Sequence, residues 1–160
     1  MKQGLCKYIV RDGVADDWPT IVEFNRMLAK ETEDRTLNPD VLRSGVQAAL
    51  ADASKARYFV ACRADDESHI VGQVMHTWEW SDWRNGTIWW LQSVYVARDH
   101  RGRGVFRMLF EHLRSRAETD ETVVGIRLYV EHENERARGV YRRLGMHPGG
   151  YDVMERVWSR

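Results

Sequence analysis

Apolar positions along this chain switch between two periods, and the switches mark out its elements. Tyr8-Ile9-Val10 predicts a short first strand. Ile21, Phe24 and Leu28 then recur at helical spacing behind Asp16-Asp17-Trp18-Pro19, an acidic helix start with Pro in the first turn. Asn38-Pro39-Asp40 repeats that start signal ahead of Val41, Leu42, Val46, Ala49 and Leu50. From Arg57 the pattern becomes extended, with Tyr58 to Cys62 as a strand, Asp65 to Ser68 as a turn and Ile70 to Trp80 as the next strand. Ser81 to Gly86 closes a hairpin, because Asn85-Gly86 tolerates the positive φ of a tight turn, and Thr87 to Val96 follows as a strand. Helical spacing returns from Gly104 to Ala117, with Phe106, Phe110, Leu113 and Ala117 on one stripe. Val124, Ile126, Leu128 and Val130 alternate as a half-buried strand. Asn134 caps a last helix whose Ala137, Val140, Tyr141 and Leu144 share a face, and Gly145 and Pro148 end it. Tyr151 to Trp158 predicts a final strand.

The resulting order, β-α-α-β-β-β-α-β-α-β, predicts a mixed α/β fold: a run of antiparallel strands, then βαβ connections, with helices on the faces of the sheet. No repeat or Pro/Gly-rich linker interrupts the 160 residues, which predicts one domain over residues 1–160.

Composition narrows the function. Lys+Arg and Asp+Glu both number 24, so no global basic field exists to hold nucleic acid, and recognition by charge must be local. Ile88-Trp89-Trp90-Leu91 and Val94-Tyr95-Val96 are too short to span a bilayer, and the N-terminus lacks the apolar region of a secretory signal. Cys6 and Cys62 make no disulfide framework and no zinc-ligand spacing, so no metal is expected and a reducing cytoplasm is the expected compartment. Five of the seven tryptophans (Trp78, Trp80, Trp83, Trp89 and Trp90) cluster. Trp89 and Trp90 read as core or hairpin packing, whereas Trp78, Trp80 and Trp83 are candidates for an aromatic pocket wall.

The junction Arg98-Asp99-His100-Arg101-Gly102-Arg103-Gly104, between a strand and a helix, carries the chemistry. Glycines there let the backbone approach a bulky anion, and the first amides of the helix point at it with the macrodipole behind them. Arg101 and Arg103 add cations suited to a diphosphate. A plain tight turn is the competing reading. A Walker loop is excluded because no Gly-Lys-Ser/Thr follows, and a Rossmann fingerprint because the third glycine is missing.

Val94-Tyr95-Val96 followed by Arg101-Gly102-Arg103-Gly104 resembles the acetyl-CoA motif of GNAT acetyltransferases, Q/R-x-x-G-x-G/A. Arg101 takes its first position, Gly104 its fourth and Phe106 its sixth, normally Gly or Ala. Asn134, Ala137, Tyr141 and Leu144-Gly145-Met146 resemble the same family's N-x-x-A-x-x-x-Y…L-G-F signature, with Met for Phe. The layout is similar to that of diamine acetyltransferases, including the acidic segment Lys30 to Asp34 after the first helix.

The resemblance implies a sheet splayed between its fourth and fifth strands, with acetyl-CoA as co-substrate. Its pyrophosphate would lie on Arg101, Gly102, Arg103, Gly104, Val105 and Phe106. Its pantetheine would pair with Val94 and Val96, and Asn134 would face it. It also implies direct attack of an amine on the thioester with Tyr141 as general acid, although periodicity alone reads Tyr141 as a core tyrosine. Diamine acetyltransferases carry a glutamate where this chain has Gln92. Glu79 is the leading substitute base, with Glu131, His132 and Glu133 as others. Glu31, Glu33, Asp34, Glu79, Trp78 and Trp83, with Gln92, are candidates for binding a cationic acceptor, either a small molecule or a peptide amine. A homodimer is a family-level expectation. The competing reading is a non-catalytic acyl-CoA-binding sensor or interaction module.

Overall fold

A computed structural model describes residues 7–158, so Cys6 lies outside the described residues. Two compact units divide the chain, Met1–Leu128 and Tyr129–Arg160. The first holds a five-stranded sheet in the order β1-β2-β3-β4-β5. Its strands are β1 (Tyr8–Asp12), β2 (Arg57–Arg63), β3 (Asp66–Ser81), β4 (Gly86–Val96) and β5 (Val123–Leu128). β1 to β4 form an antiparallel meander, and β5 joins β4 in parallel. The parallel pair needs a crossover, which helix α3 (Val105–Glu118) supplies. Helices α1 (Trp18–Glu33) and α2 (Pro39–Ala51) connect β1 to β2.

The start signals work in part: Asp17 stands at the N-cap of α1, but its carboxylate accepts from Arg11 and the Val14 amide and makes no cap hydrogen bond to that helix. Pro19 lies in the first turn of α1, and the Asn38 side chain accepts from the amides of Asp40 and Val41 at the head of α2. α1 ends at Asp34, in a left-handed conformation with φ 49°.

The period of two along the strands sorts the core onto both faces of the sheet. Tyr58, Val60 and Cys62 pack with Ile21, Phe24 and Val46 of α1 and α2, together with Ile70 and Tyr95. Phe59, between them in sequence, faces α3 instead, its ring 4.8 Å from that of His112. α3 comes close to the sheet at Gly72, where an added Cβ would lie 3.1 Å from Val105 and 3.4 Å from Leu109.

The second unit contains helix α4 (Glu135–Arg143). Asn134 Oδ1 accepts from the Ala137 amide at its start. At its end Gly145, with φ 86°, donates to Arg142 while Met146 donates to Tyr141, a Schellman closure. The strand expected from Tyr151 to Trp158 is not formed, and residues 151–158 have no regular structure. Alternating apolar residues make a segment fit to be a strand, but only a neighbouring backbone completes one, and no ladder includes them.

His76 on β3 is fully buried, stacked on Trp89 at 3.9 Å and on Phe59 at 5.7 Å. Neither ring nitrogen has a hydrogen-bond partner among the described residues. Burial first, and the Arg57 charge second, lower its pKa from 6.5 to about 4. The unfolded chain therefore takes up a proton near pH 6.5 that the folded chain refuses until about pH 4. Stability present above pH 6.5 is lost as the pH falls through that window, by about 3 kcal/mol in all. Urea unfolding across this range is expected to show the loss, and His76→Phe, which keeps a stacked ring without a titratable nitrogen, should flatten it. An equal slope in both proteins would contradict this account.

Candidate active site

The chain leaves β4 through a 3₁₀ turn, Arg98–His100, and enters α3 at Gly104. Gly102 and Gly104 hold φ of 72° and 82°, a left-handed conformation that residues with a Cβ adopt at a cost. A Cβ added to either glycine meets nothing within 4 Å, so conformation rather than crowding calls for glycine, and the space around the turn is open. No side chain caps α3. Among the described residues, the amides of Gly102, Arg103, Gly104 and Val105 make no backbone hydrogen bond outside the helix. Arg103 is exposed and makes no ion pair there. Unpartnered amides, a helix N-terminus and a cation thus surround open space, which are the parts from which anion sites are built. Phe106, at the sixth motif position, begins the inward stripe of α3, its ring 6.1 Å from that of Phe110.

Arg101 is placed differently from its neighbour. Its Nε donates to the Val96 carbonyl at 2.8 Å and its Nη2 to Glu31 Oε2 at 2.8 Å, and its guanidinium lies over the Tyr95 ring at 5.2 Å. Glu31 Oε1 also accepts from the Tyr95 hydroxyl and from Arg98 Nε, each at 3.0 Å. Glu31, expected to meet the acceptor amine, thus faces the arginines of the loop. Burial alone would raise its carboxyl, but hydrogen bonds from Arg101, Tyr95 and Arg98 outweigh that and lower it.

The edge of β4 next to the loop is bare of β5. Pairing runs from Thr87↔Val123 to Leu91↔Leu128 and stops, while β4 continues to Val96. In that stretch Ser93 takes φ 50°, and the register with β3 slips between Gln73 and Met75, which is a β-bulge. Buried polar groups hold the bulge. Gln73 Nε2 donates to the Ser93 carbonyl at 3.2 Å and to Asn25 Oδ1 at 2.8 Å, and Asn25 donates to the Tyr58 hydroxyl at 3.3 Å. Val94 lies within this unpaired stretch. The Val96 carbonyl already accepts from Arg101, which reduces what it can offer a pantetheine amide.

Glu79 and Gln92 share one face of the sheet. Gln92 donates to Thr77 Oγ1 at 2.9 Å, and Glu79 accepts from Trp90 Nε1 and, at 2.7 Å, from Arg127 Nη1. Trp78 is on the other face, edge-on to His76 at 5.0 Å, while Trp83 is 87% exposed at the hairpin tip. Strand alternation therefore separates Trp78 from Glu79, and the aromatic wall drawn from Trp78, Trp80 and Trp83 is not assembled around it. Trp90 is the indole that meets Glu79, not a core residue like Trp89. Glu33 is exposed near Arg35, with 3.9 Å between charged atoms. Arg127 and Thr77 escape the sequence reading. The only available signal for Arg127 is a charged residue between Ile126 and Leu128, on the polar side of an alternating strand.

In the second unit, Tyr141 lies in the last turns of α4 and burial raises its phenol above the ordinary value. The Asn134 side chain serves α4 as its cap, leaving its amide nitrogen to donate elsewhere. Among the described residues no group of three His, Cys, Asp or Glu side chains could hold a metal ion, and no helix is long and apolar enough to cross a membrane.

Gly104→Ala is expected to destabilise the fold by about 1–2 kcal/mol through the left-handed strain at φ 82°. Thermal unfolding would check this, and unchanged stability would mean that the turn readily takes another shape.

No protein of the curated set matches the chain. Among solved structures, a possible acetyltransferase from Clostridium difficile 630 is 42% identical, over 97% of this chain and 100% of that one, with a TM-score of 0.88. Two more distant structures share the fold. The ribosomal-protein-alanine N-acetyltransferase of Brucella melitensis biovar Abortus 2308 is 16% identical over 94% of this chain and 99% of that one, with a TM-score of 0.74. The glucosamine-6-phosphate N-acetyltransferase of Arabidopsis thaliana is 15% identical over 93% and 97%, with a TM-score of 0.69. The family model for acetyltransferases of the GNAT family matches residues 20–146, which takes in the glycine turn, the bare edge of β4 and α4, and the chain belongs to that family of acyl transferases that draw on acetyl-CoA.

Proposed function

We propose that this chain transfers the acetyl group of acetyl-CoA to a primary amine by direct attack, with Tyr141 as general acid. The observation that carries the reading is the uncapped start of α3, with left-handed Gly102 and Gly104, at the family's coenzyme motif. The coenzyme's pyrophosphate rests on the amides from Gly102 to Phe106, with Arg103 beside it. Its pantetheine extends the sheet along β4 beyond Leu91, at Val94 and with a contribution from Val96, and Asn134 offers its remaining donor.

The amine nitrogen attacks the thioester carbonyl, the C–S bond breaks, and the departing thiolate takes the phenol proton of Tyr141. A phenol whose pKa burial raises stays protonated at neutral pH, as a general acid must. The amine gives up its proton to Glu79, directly or through water. Arg127 and Trp90 occupy part of that carboxylate, and further lone pairs on its two oxygens remain. Thr77, Gln92 and the Trp90 face line the same side of the sheet and offer the acceptor hydrogen bonds and an aromatic surface. The acceptor is a small molecule or a peptide amine. On this reading the protein works in the cytoplasm as a single catalytic domain, without metal, nucleic acid or membrane.

Tyr141→Phe is expected to lower kcat about 10²- to 10⁴-fold while leaving CoA affinity unchanged, as measured by thiol release and calorimetry. Turnover that survives the change would remove the tyrosine from this role, and CoA binding by the wild type with no turnover on any amine would favour a sensor. Glu79→Gln is expected to lower kcat/KM at least about tenfold with acetyl-CoA KM unchanged, because a glutamine accepts no proton. An unaltered pH–rate profile in that variant would assign the proton to another group.

A further inference from the structure

We infer that Glu31 is a positioning residue for the coenzyme loop, tying the last turn of α1 to Arg98 and Arg101 and, through Arg101, to the end of β4. The inference rests on the reading of the Arg101–Gly104 turn as the seat of the coenzyme's pyrophosphate. Glu31 stands near the end of α1, and its partners at 95, 98 and 101 are all distant in sequence, so the bonds tie separate parts of the fold together. Both of its oxygens are engaged, by two guanidinium groups and a phenol. One lone pair on Oε2 stays open, but an acceptor ammonium placed there would lie against the Arg101 guanidinium.

Arg101 is held at three points: the Val96 carbonyl, Glu31 and the Tyr95 ring. It is 34% exposed where Arg98 is 68% exposed, and Glu31 between them is 22% exposed, so the Arg101 arm is the sheltered one. Isolated surface ion pairs contribute little, but a sheltered carboxylate receiving three hydrogen bonds, two of them charge-assisted, is a different case. Arg101 therefore acts as a strut between β4 and the first glycine of the turn. Arg103 is the cation left to face the anion.

The sign of one substitution separates the possibilities. Glu31→Gln removes a negative charge beside a phosphate site, so a purely electrostatic role would tighten CoA binding. A contact with the acceptor would raise the acceptor's KM and leave CoA untouched. A positioning role loosens CoA, because Arg101 and the turn lose their anchor. We expect the CoA Kd, measured by calorimetry, to rise about tenfold in Glu31→Gln, equal to about 1.4 kcal/mol. The acceptor KM should stay unchanged. The loss should be much smaller when Glu31→Gln is made in an Arg101→Gln background, since the two residues act as one unit. Glu31→Asp, which keeps the charge but withdraws the carboxylate by one methylene, should fall between, and it carries the test if the glutamine variant does not fold. Unchanged or tighter CoA binding, full additivity with Arg101→Gln, or a rise confined to the acceptor KM would each overturn the inference. A wild-type protein without CoA affinity would instead overturn the reading of the turn itself.

Discussion

A strand has two edges to offer, and β4 pairs with β3 on one while β5 follows the other only as far as Leu91. The rest of the first unit is arranged around that incomplete pairing. A bare edge invites unwanted partners, and here it is kept short and interrupted. Ser93 bulges within it, and the Arg101 side chain covers the Val96 carbonyl at its end. A bulge in a half-paired strand needs outside support, which comes from buried amides: Gln73 on β3 and Asn25 on α1. That support is left one acceptor short, since Gln73 Oε1 is buried without a partner among the described residues. An unsatisfied buried oxygen costs about 1–3 kcal/mol, which marks the network as a fixture of this edge rather than a gain in stability.

α1 is thus more than a cover for the hydrophobic face. Ile21 and Phe24 bury it, Asn25 reaches the bulge, and Glu31 reaches the loop. Three kinds of contact from one helix fix β4 along its second half. Several ion pairs within single helices contrast with this. Arg26–Glu23, Arg43–Asp40 and Arg114–Glu111 are neighbours on a single helix turn and largely exposed, so solvent screens each and it contributes little.

How far the sequence discloses all this follows from the range of each interaction. Gly102 and Gly104, the Asn38 and Asn134 caps and the Schellman glycine at 145 act within a few residues, and local pattern names them correctly. Strand alternation is equally local, but which face a residue meets depends on a neighbour's register. For that reason Trp90 rather than Trp78 stands beside Glu79, through the pairing Trp90↔Arg127. The Glu31 contacts span 64 to 70 positions, and nothing near Glu31 in the chain announces them. The expected strand from Tyr151 to Trp158 marks the same limit, since a segment's own residues cannot supply the ladder it lacks.

Cys62 lies fully buried on β2, among the side chains that face α1 and α2, and burial pushes its thiol pKa up. A thiol that is both inaccessible and reluctant to ionise reacts slowly with alkylating reagents while the sheet is closed. Its labelling rate therefore measures how often the centre of the sheet opens. It makes Cys62 a built-in clock for the motions that equilibrium unfolding does not resolve.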